Sequence, residues 1–145
     1  MNVSLRPATH EDFSFVFQLN KINMKKYVEK LRGWDEQAER LNMKAKFKPF
    51  VDQIIVFNNY DVGIFAVDKK ESEFYLRHIE ILPAYQNKGI GSFLLHQILR
   101  EADKRCIPVK LQVLKFNPAR RLYERLGFSV YGESELKYKM VYAPK

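Results

Sequence analysis

A string of spaced glycines and polar residues, Gln86-Asn87-Lys88-Gly89-Ile90-Gly91-Ser92, stands just past the middle of the chain. It follows an apolar run that ends at Ile81-Leu82-Pro83 and precedes a helical pattern, so it predicts a strand, a tight loop and a helix N-terminus. N–H groups without helical partners and the positive end of the helix dipole make such a terminus a site for phosphate oxygens. Gly89 and Gly91 have no Cβ, so their backbone can come close to a bulky anion. The same spacing also fits a plain turn with tight packing.

Two other phosphate-binding patterns do not fit this loop. A dinucleotide-binding loop needs a third small residue where Leu94 stands. It also needs an acidic residue about 20 positions further on, where this chain has Leu114-Lys115 at the end of a predicted strand. A P-loop needs Gly-Lys followed by Ser or Thr after four spacers, and the sequence contains no such string. The pattern that remains is Gln-x-x-Gly-x-Gly.

A second string, Asn117-Pro118-Ala119-Arg120-Arg121-Leu122-Tyr123-Glu124-Arg125-Leu126-Gly127-Phe128, opens with a favoured N-cap residue and a proline suited to the first helical position. The two strings resemble the two signature motifs of the GNAT superfamily of N-acetyltransferases. The first resembles its acyl-CoA pyrophosphate loop, and the second resembles Asn-x-x-Ala-x-x-Leu-Tyr-x-x-x-Gly-Phe with the alanine displaced by one position. The resemblance covers Glu73 to Phe128. It implies a GNAT-like acyl-CoA N-acyltransferase fold of the α/β class (an α+β mixed sheet), mostly antiparallel, with a splayed central pair of parallel strands and helices on both faces.

The resemblance also implies an activity. Such an enzyme is an acetyl-CoA-dependent N-acetyltransferase, which transfers the acetyl group to a primary amine of a small molecule, a peptide or a protein by direct attack through a tetrahedral intermediate. Acetyl-CoA is then the co-substrate. No metal is expected, because no cluster of Cys, His and Asp has metal-ligand spacing. The alternative is a CoA-binding regulatory module without catalysis, against which the retained Tyr123 argues.

Two residues are candidates for moving protons. An amine acceptor with an ordinary pKa of about 10.4 is mostly protonated at neutral pH, so a base or a chain of waters must remove a proton. Glu80, on the strand before the loop, is the candidate base, and an outward-facing residue in an ion pair is the alternative. Tyr123 has a phenol with an ordinary pKa of about 10 and can donate to a thiolate whose conjugate acid lies near about 8.5. In the resembling family this tyrosine is the usual general acid, and packing on the sheet is its structural alternative.

Cofactor contacts follow from the same resemblance. The loop N–H groups from Gln86 to Gly91 would take the pyrophosphate, Ser92 could add a hydroxyl, and the backbone of β-strand residues before the loop would pair with the pantetheine amides. In the family the Asn117 side chain bonds the pantetheine arm, which is compatible with a helix cap. Arg120 and Arg121 either reach the outer phosphates or form a solvated helix face. The expected cofactor-binding residues are Ile79, Ile81, Gln86, Asn87, Lys88, Gly89, Ile90, Gly91, Ser92, Asn117 and Tyr123.

The acceptor is the least constrained part of the prediction. In this family it usually enters over the first two helices and the last hairpin, which makes Tyr27, Trp34, Asp35, Glu36 and Tyr138 candidates. His78, two residues before Glu80, should share its strand face and is either a second base, a substrate ligand or a structural histidine. An aromatic wall with acids would suit a cationic amine. A buried tryptophan at a bend, followed by a charged first helical turn, explains the same residues. A small amine, an aminoglycoside-like molecule and a protein N-terminus or lysine all stay open.

Composition narrows the partners and the compartment. The net charge of +8 is spread along the chain without a recognisable nucleic-acid motif, so no nucleic-acid partner is expected. No stretch is long and apolar enough to span a membrane, and Met1 to Pro7 do not resemble a signal peptide. Cys106 is the lone cysteine and is expected to be half-buried; because it cannot form an internal disulfide, it fits a cytoplasmic protein. At 145 residues the chain is expected to form a single N-acetyltransferase domain, 1–145, with a homodimer left open.

The elements that must position these residues can be read from periodicity. Thr9 and Asp12 predict the start of a first helix that ends at Gly33. Its apolar face is expected to hold Phe13, Val16, Phe17, Leu19, Asn20, Ile22 and Asn23. The remaining pattern predicts a charged second helix over 34–45, strands over 3–6, 53–57, 62–67, 73–82, 109–113, 128–132 and 136–142, and helices over 89–105 and 119–126. The strands at 73–82 and 109–113 should be parallel, because a helical crossover joins them.

Overall fold

The computed structural model describes all 145 residues and contains seven strands and four helices. The strands are β1 (Val3–Pro7), β2 (Gln53–Phe57), β3 (Tyr60–Lys69), β4 (Phe74–Ile81), β5 (Val109–Leu114), β6 (Ser129–Glu133) and β7 (Lys137–Tyr142). The helices are α1 (Phe13–Arg32), α2 (Glu36–Lys46), α3 (Ile90–Arg105) and α4 (Ala119–Arg125). The strand order in the sheet is β1-β2-β3-β4-β5-β7-β6. This order, with β4 and β5 parallel, confirms the predicted mixed and mostly antiparallel α/β fold.

The chain divides into two compact units. The first consists of Met1–Ala66 and His78–Ile90, and the second of Val67–Arg77 and Gly91–Lys145. The strands β3 and β4 each begin in one unit and end in the other. The single domain 1–145 stays a prediction. None of the four helices combines the length and the apolar character that a membrane span requires.

In the first unit, charged side chains fix the entry into α1. The backbone N–H of Thr9 donates to Asp12 Oδ2 at 2.8 Å, as the predicted capping box requires. Arg6 donates to both carboxylate oxygens of Asp12 at 2.9 Å and pairs with Asp61 on β3 at 2.9 Å. One turn of 3₁₀ helix, His10–Asp12, precedes α1, and Gly33 ends α1 with a φ of +84°. The helix therefore begins and ends at the predicted signals.

Replacing Asp12 with asparagine is expected to flatten the acid dependence of folding stability. The hydrogen bond from Arg6, helped by Thr9, lowers the pKa of Asp12 below its ordinary 3.8. Because the folded pKa is the lower one, this carboxylate stabilises the fold above the unfolded pKa, and that contribution is lost as the pH falls through the folded pKa. Urea unfolding between about pH 7 and pH 2 should show the wild-type protein losing more stability on acidification than Asp12→Asn.

Glu135→Gln is the control for this experiment, because Glu135 is an exposed acid in the turn before β7. It should follow the wild-type acid curve. An Asp12→Asn variant that loses stability on acidification as steeply as the wild type would contradict the assignment.

The inner face of α1 differs from the prediction at one apolar residue. Val16 and Leu19 are buried and form a core cluster with residues of β2 and β3. Ile22, expected on the same face, is 55% exposed. Asn20 and Asn23 are half-buried instead, because their amides have hydrogen-bond partners on β4. Apolar periodicity alone could not separate these positions.

The hairpin of β2 and β3 turns on two residues. Asn58 and Asn59 have φ angles of +51° and +69°, which asparagine tolerates better than most residues. The turn is therefore shorter than expected, and β3 begins at Tyr60 rather than at Val62.

In the second unit, the parallel strands are in register over three residues each. The pairs are Phe74 with Val109, Tyr75 with Lys110 and Leu76 with Leu111, and the register stops there although β4 continues to Ile81. The parallel strands are thus paired only at the start of β4, which is what the predicted splayed pair requires.

The end of α3 is tied to the end of the sheet. The Tyr142 hydroxyl donates to the Asp103 carboxylate at 3.0 Å, which accepts the Lys145 backbone N–H at 2.9 Å. Burial and this carboxylate raise the pKa of Tyr142. Cys106, expected to be half-buried, is exposed; it follows the last residue of α3 and has a φ of +55°.

Candidate active site

The glycine loop leads into α3 through left-handed backbone. Asn87 and Gly89 have φ angles of +61° and +85°, and α3 begins at Ile90, which is buried. Successive N–H groups in such a turn, followed by the unpaired N–H groups of a first helical turn, form a concavity suited to an anion. Gly89 is needed for its backbone, since any Cβ there would be strained and would lie 3.2 Å from Met1 Cε. Gly91 lies within the first turn of α3.

The side chain of Gln86 holds this loop to the end of β4. Its amide nitrogen donates to the Ile81 carbonyl oxygen at 2.8 Å and to Asn23 Oδ1 at 3.2 Å. Asn23 Nδ2 donates to the same carbonyl at 3.0 Å. Both lone pairs of the Ile81 oxygen are thus engaged, so a pantetheine amide could use this carbonyl only by displacing one of them. Ile79, the other expected backbone partner, is half-buried in β4.

Glu80 has a buried carboxylate rather than an outward-facing one. Its side chain is 9% exposed, Oε2 accepts from Asn20 Nδ2 at 2.7 Å, and Oε1 accepts from Asn23 Nδ2 at 3.4 Å. His78 Nε2 contacts Oε2 from the same strand face, as the spacing predicted. The structure therefore brings together Glu80, His78 and two asparagines of α1.

The backbone at Glu80 is held by close contact with β3. A Cβ on Gly63 would lie 2.3 Å from the Glu80 carbonyl oxygen, so only glycine allows this approach. Next along the chain, the Leu82 N–H donates to the Val62 carbonyl at 2.8 Å. The position of the carboxylate therefore depends on an unsubstituted Cα in the neighbouring strand.

The acceptor candidates on α1 and α2 have partners within the helix pair. Glu36 accepts from Trp34 Nε1 at 2.8 Å and from Lys21 Nζ at 3.0 Å, and these hydrogen bonds lower the pKa of Glu36. Asp35 caps α2 by accepting the Ala38 N–H at 3.2 Å. Tyr27 is half-buried, with Lys26 Nζ 5.0 Å from the centre of its ring. Trp34 and Glu36 are therefore hydrogen-bonded to each other. The hydrogen bonds of the Glu80 carboxylate involve neither of these residues, nor Tyr27.

In the second unit, Asn117 caps α4, because its Oδ1 accepts the Ala119 N–H at 2.9 Å. Tyr123 is 7% exposed, and its ring meets the Phe128 ring edge to face at a centroid distance of 5.8 Å. The sequence predicts this helix cap. The burial of Tyr123 fits both the predicted general acid and the alternative of packing on the sheet.

Tyr138 lies under a pair of cations. The Arg120 guanidinium carbon is 4.3 Å from the centre of its ring, and Lys115 Nζ is 5.4 Å from it. Arg120 also pairs with Glu124 at 3.3 Å, whereas Arg121 is exposed.

Ser92, the hydroxyl expected at the cofactor, is half-buried in the first turn of α3.

Asn20 and Asn23 are the site residues that the sequence analysis missed. Asparagine is a poor former of helix interiors, and two of them three residues apart lie on one helix face. That spacing inside an apolar pattern was the available signal.

Comparisons with known proteins agree with this fold and these motifs. A family model described as an acetyltransferase (GNAT) domain matches residues 51–130. The chain is 32% identical over 113 residues to the [ribosomal protein bS18]-alanine N-acetyltransferase of Haemophilus influenzae, covering 77% of this chain and 67% of that protein.

Two solved structures share the fold across nearly the whole chain. PaiA N-acetyltransferase from Thermoplasma acidophilum, in complex with coenzyme A, has a TM-score of 0.73 at 16% identity, with 99% of both chains covered. Arabidopsis thaliana Naa50, in complex with the bisubstrate analogue CoA-Ac-MVNAL, has a TM-score of 0.67 at 19% identity, again with 99% of both chains covered. The family model spans more than half of this sequence, and the chain therefore belongs to the GNAT acetyltransferase family.

Proposed function

We propose that this protein is an acetyl-CoA-dependent N-acetyltransferase whose acceptor is the α-amine of a peptide or protein. The main support for acetyl-CoA as the co-substrate is the loop with left-handed backbone at Asn87 and Gly89, which leads into α3. The acceptor class is supported by two relatives: the H. influenzae protein is named for an alanine of a ribosomal protein, and Naa50 was solved with CoA joined to a peptide. A single cysteine fits the cytoplasm as its compartment.

The residues of the loop fit a CoA pyrophosphate. The backbone N–H groups from Gln86 to Gly91, with the Ser92 hydroxyl, would hold its phosphate oxygens at the positive end of the α3 dipole. Ile79, through its backbone, and Asn117, through the amide donors that its capping oxygen leaves over, would bind the pantetheine arm. When bound, acetyl-CoA supplies an activated thioester.

The proton transfers fall to two side chains. The amine nitrogen forms a bond to the acetyl carbonyl carbon to give a tetrahedral intermediate, and the carbon–sulfur bond breaks when that intermediate collapses. Glu80 takes a proton from the amine, and its Oε1 has the capacity to do so because that oxygen accepts only one long hydrogen bond. Tyr123 gives its hydroxyl proton to the departing thiolate.

Replacing Gly89 with aspartate should abolish tight binding of acetyl-CoA. A carboxylate about 4 Å from a phosphate repels it by a few kcal/mol near a protein surface, which predicts at least about a tenfold loss of affinity. Gly33→Asp is the matched control: Gly33 ends α1 with a φ of +84°, close to the +85° of Gly89, and a Cβ there meets nothing within 4 Å, so it places the same side chain at a similar positive φ away from the loop.

Calorimetric titration with acetyl-CoA measures both variants, and a thiol-release assay with peptides, polyamines and small amines tests the acceptor. Gly33→Asp should bind like the wild type. Equal affinities in the two variants would overturn the loop as the CoA site. Tight binding by the wild type with no thiol released for any amine would overturn the enzymatic function. Turnover of small amines alone would overturn the acceptor class.

A further inference from the structure

Two asparagines on α1 surround the carboxylate of Glu80. Asn20 Nδ2 donates to Oε2 at 2.7 Å, and Asn23 Nδ2 divides its hydrogens between Oε1 at 3.4 Å and the Ile81 carbonyl at 3.0 Å. Because the two residues are three positions apart, their side chains lie on one face of the helix. Each carboxylate oxygen therefore has an amide donor from α1.

These asparagines oppose helix formation and core packing. Asparagine is less favourable than leucine or alanine inside a helix, and a half-buried amide costs free energy unless it is hydrogen-bonded. Asn20 follows Leu19, which is buried in the core cluster, and leucine would suit this face. The two asparagines are thus unfavourable for α1 itself, and their hydrogen bonds to the Glu80 carboxylate offset that cost.

Asn23 also joins the carboxylate to the glycine loop. Its Oδ1 accepts from Gln86 Nε2 at 3.2 Å, and Gln86 donates in turn to the Ile81 carbonyl at 2.8 Å. The amide of Asn23 is consequently satisfied on all sides: two donors to β4 and one acceptor to the loop. Asn23 therefore links the Gln86 side chain directly to the Glu80 carboxylate, so a movement of the loop at Gln86 would displace the donor to Oε1.

We propose that Asn20 and Asn23 are positioning residues for acetyl transfer, whose amides keep the Glu80 carboxylate aimed and join it to the loop at Gln86. This inference rests on the proposed function, in which Glu80 takes the amine proton. With Oε2 occupied by Asn20 and His78, the oxygen that remains for the substrate is Oε1.

The decisive variant is Asn20→Leu, which keeps the branched shape of the side chain and removes the donor to Oε2. In the full chain with saturating acetyl-CoA and peptide, kcat should fall about tenfold, the effect of losing one hydrogen bond to a charged group, while the KM for acetyl-CoA stays unchanged. Asn42→Leu is the control, since Asn42 is an exposed asparagine of α2.

A double-mutant cycle separates positioning from packing. In a Glu80→Gln background, Asn20→Leu should leave kcat unchanged, because the group that the amide positions is already absent. A purely structural asparagine would lower kcat by the same factor in both backgrounds. Asn20→Asp is the second variant, because it has the same shape and serves if the leucine variant does not fold. It should also lower kcat, since it presents an acceptor oxygen where Oε2 needs a donor.

The outcomes separate this inference from the function on which it rests. A kcat that is the same in Asn20→Leu, Asn20→Asp and wild type, or that falls equally with and without Glu80→Gln, overturns the positioning role, even if the enzyme acetylates peptides. A Glu80→Gln variant with wild-type turnover overturns Glu80 as the base and the inference with it, while leaving the acetyltransferase function intact. A fall in kcat that disappears in the Glu80→Gln background and is absent from Asn42→Leu supports it.

Discussion

Alanine in place of Gly63 should lower the melting temperature by about 10 °C and remove most of the activity. The added Cβ would lie 2.3 Å from the Glu80 carbonyl oxygen and 3.1 Å from Ile55 Cδ1. The nearest atom is backbone, which cannot rotate away, so β3 and β4 must separate. Overpacking of this kind costs about 3 kcal/mol, which corresponds to about 10 °C for a chain of this size. A displacement of about 1 Å at a catalytic group lowers rates by about a hundredfold.

A second glycine provides the control. Gly132 lies in β6, and a Cβ there would meet its nearest neighbour, Lys139 Cδ, at an ordinary 3.8 Å. Gly132→Ala should leave the melting temperature unchanged or raise it slightly, because alanine reduces the entropy of the unfolded chain. Thermal unfolding of the two variants side by side is the measurement. If both alanines have the same effect, the close approach at Gly63 is not what holds Glu80.

Phenylalanine in place of Tyr123 should lower kcat by about a hundredfold and leave the affinity for acetyl-CoA unchanged. The substitution removes the hydroxyl that would protonate the departing thiolate, and general acid catalysis is worth about 10²–10⁴ in rate. The ring stays in place, because phenylalanine preserves the edge-to-face contact with Phe128. Stability should fall by no more than one hydrogen bond, about 1 kcal/mol.

Single-turnover kinetics with saturating acetyl-CoA isolate the chemical step in this variant. Tyr131→Phe is matched to it in chemistry, since Tyr131 is a tyrosine of β6 that is 53% exposed. It should retain wild-type turnover. A Tyr123→Phe enzyme with an undiminished chemical step would show that the tyrosine packs the fold and that another donor serves the thiolate.

Local signals in the sequence predicted the fold well. The capping pair of Thr9 and Asp12, the stop at Gly33 and the Asn117 cap all lie where the structure has them, because each depends on residues within a few positions. The parallel pairing of β4 with β5 followed from a helical crossover between two apolar runs. Strand ends shifted by one or two residues, since turn residues such as Asn58 and Asn59 can take up a reversal alone.

Contacts between distant segments could not be read in the same way. Gly63 looks like an ordinary strand glycine until β4 is placed beside it, and nothing local marks the approach to Glu80. Asn20 and Asn23 were assigned to an apolar face because hydrophobic periodicity records spacing and not what lies opposite. The roles of Glu80, Tyr123 and the loop stay predictions that the proposed variants test.

The helix α2 has no buried residue, although it is eleven residues long. Two ion pairs join it to α1: Glu36 with Lys21 at 3.0 Å, and Glu39 with Arg32, the last residue of α1, at 2.6 Å. Leu41, the most apolar residue on it, is 70% exposed. Substitutions on such a surface cost little folding free energy. In evolutionary terms, we expect the exposed positions of α2 to diverge among related enzymes, while Met43, which packs on the core cluster, and the core that carries Glu80 stay the same.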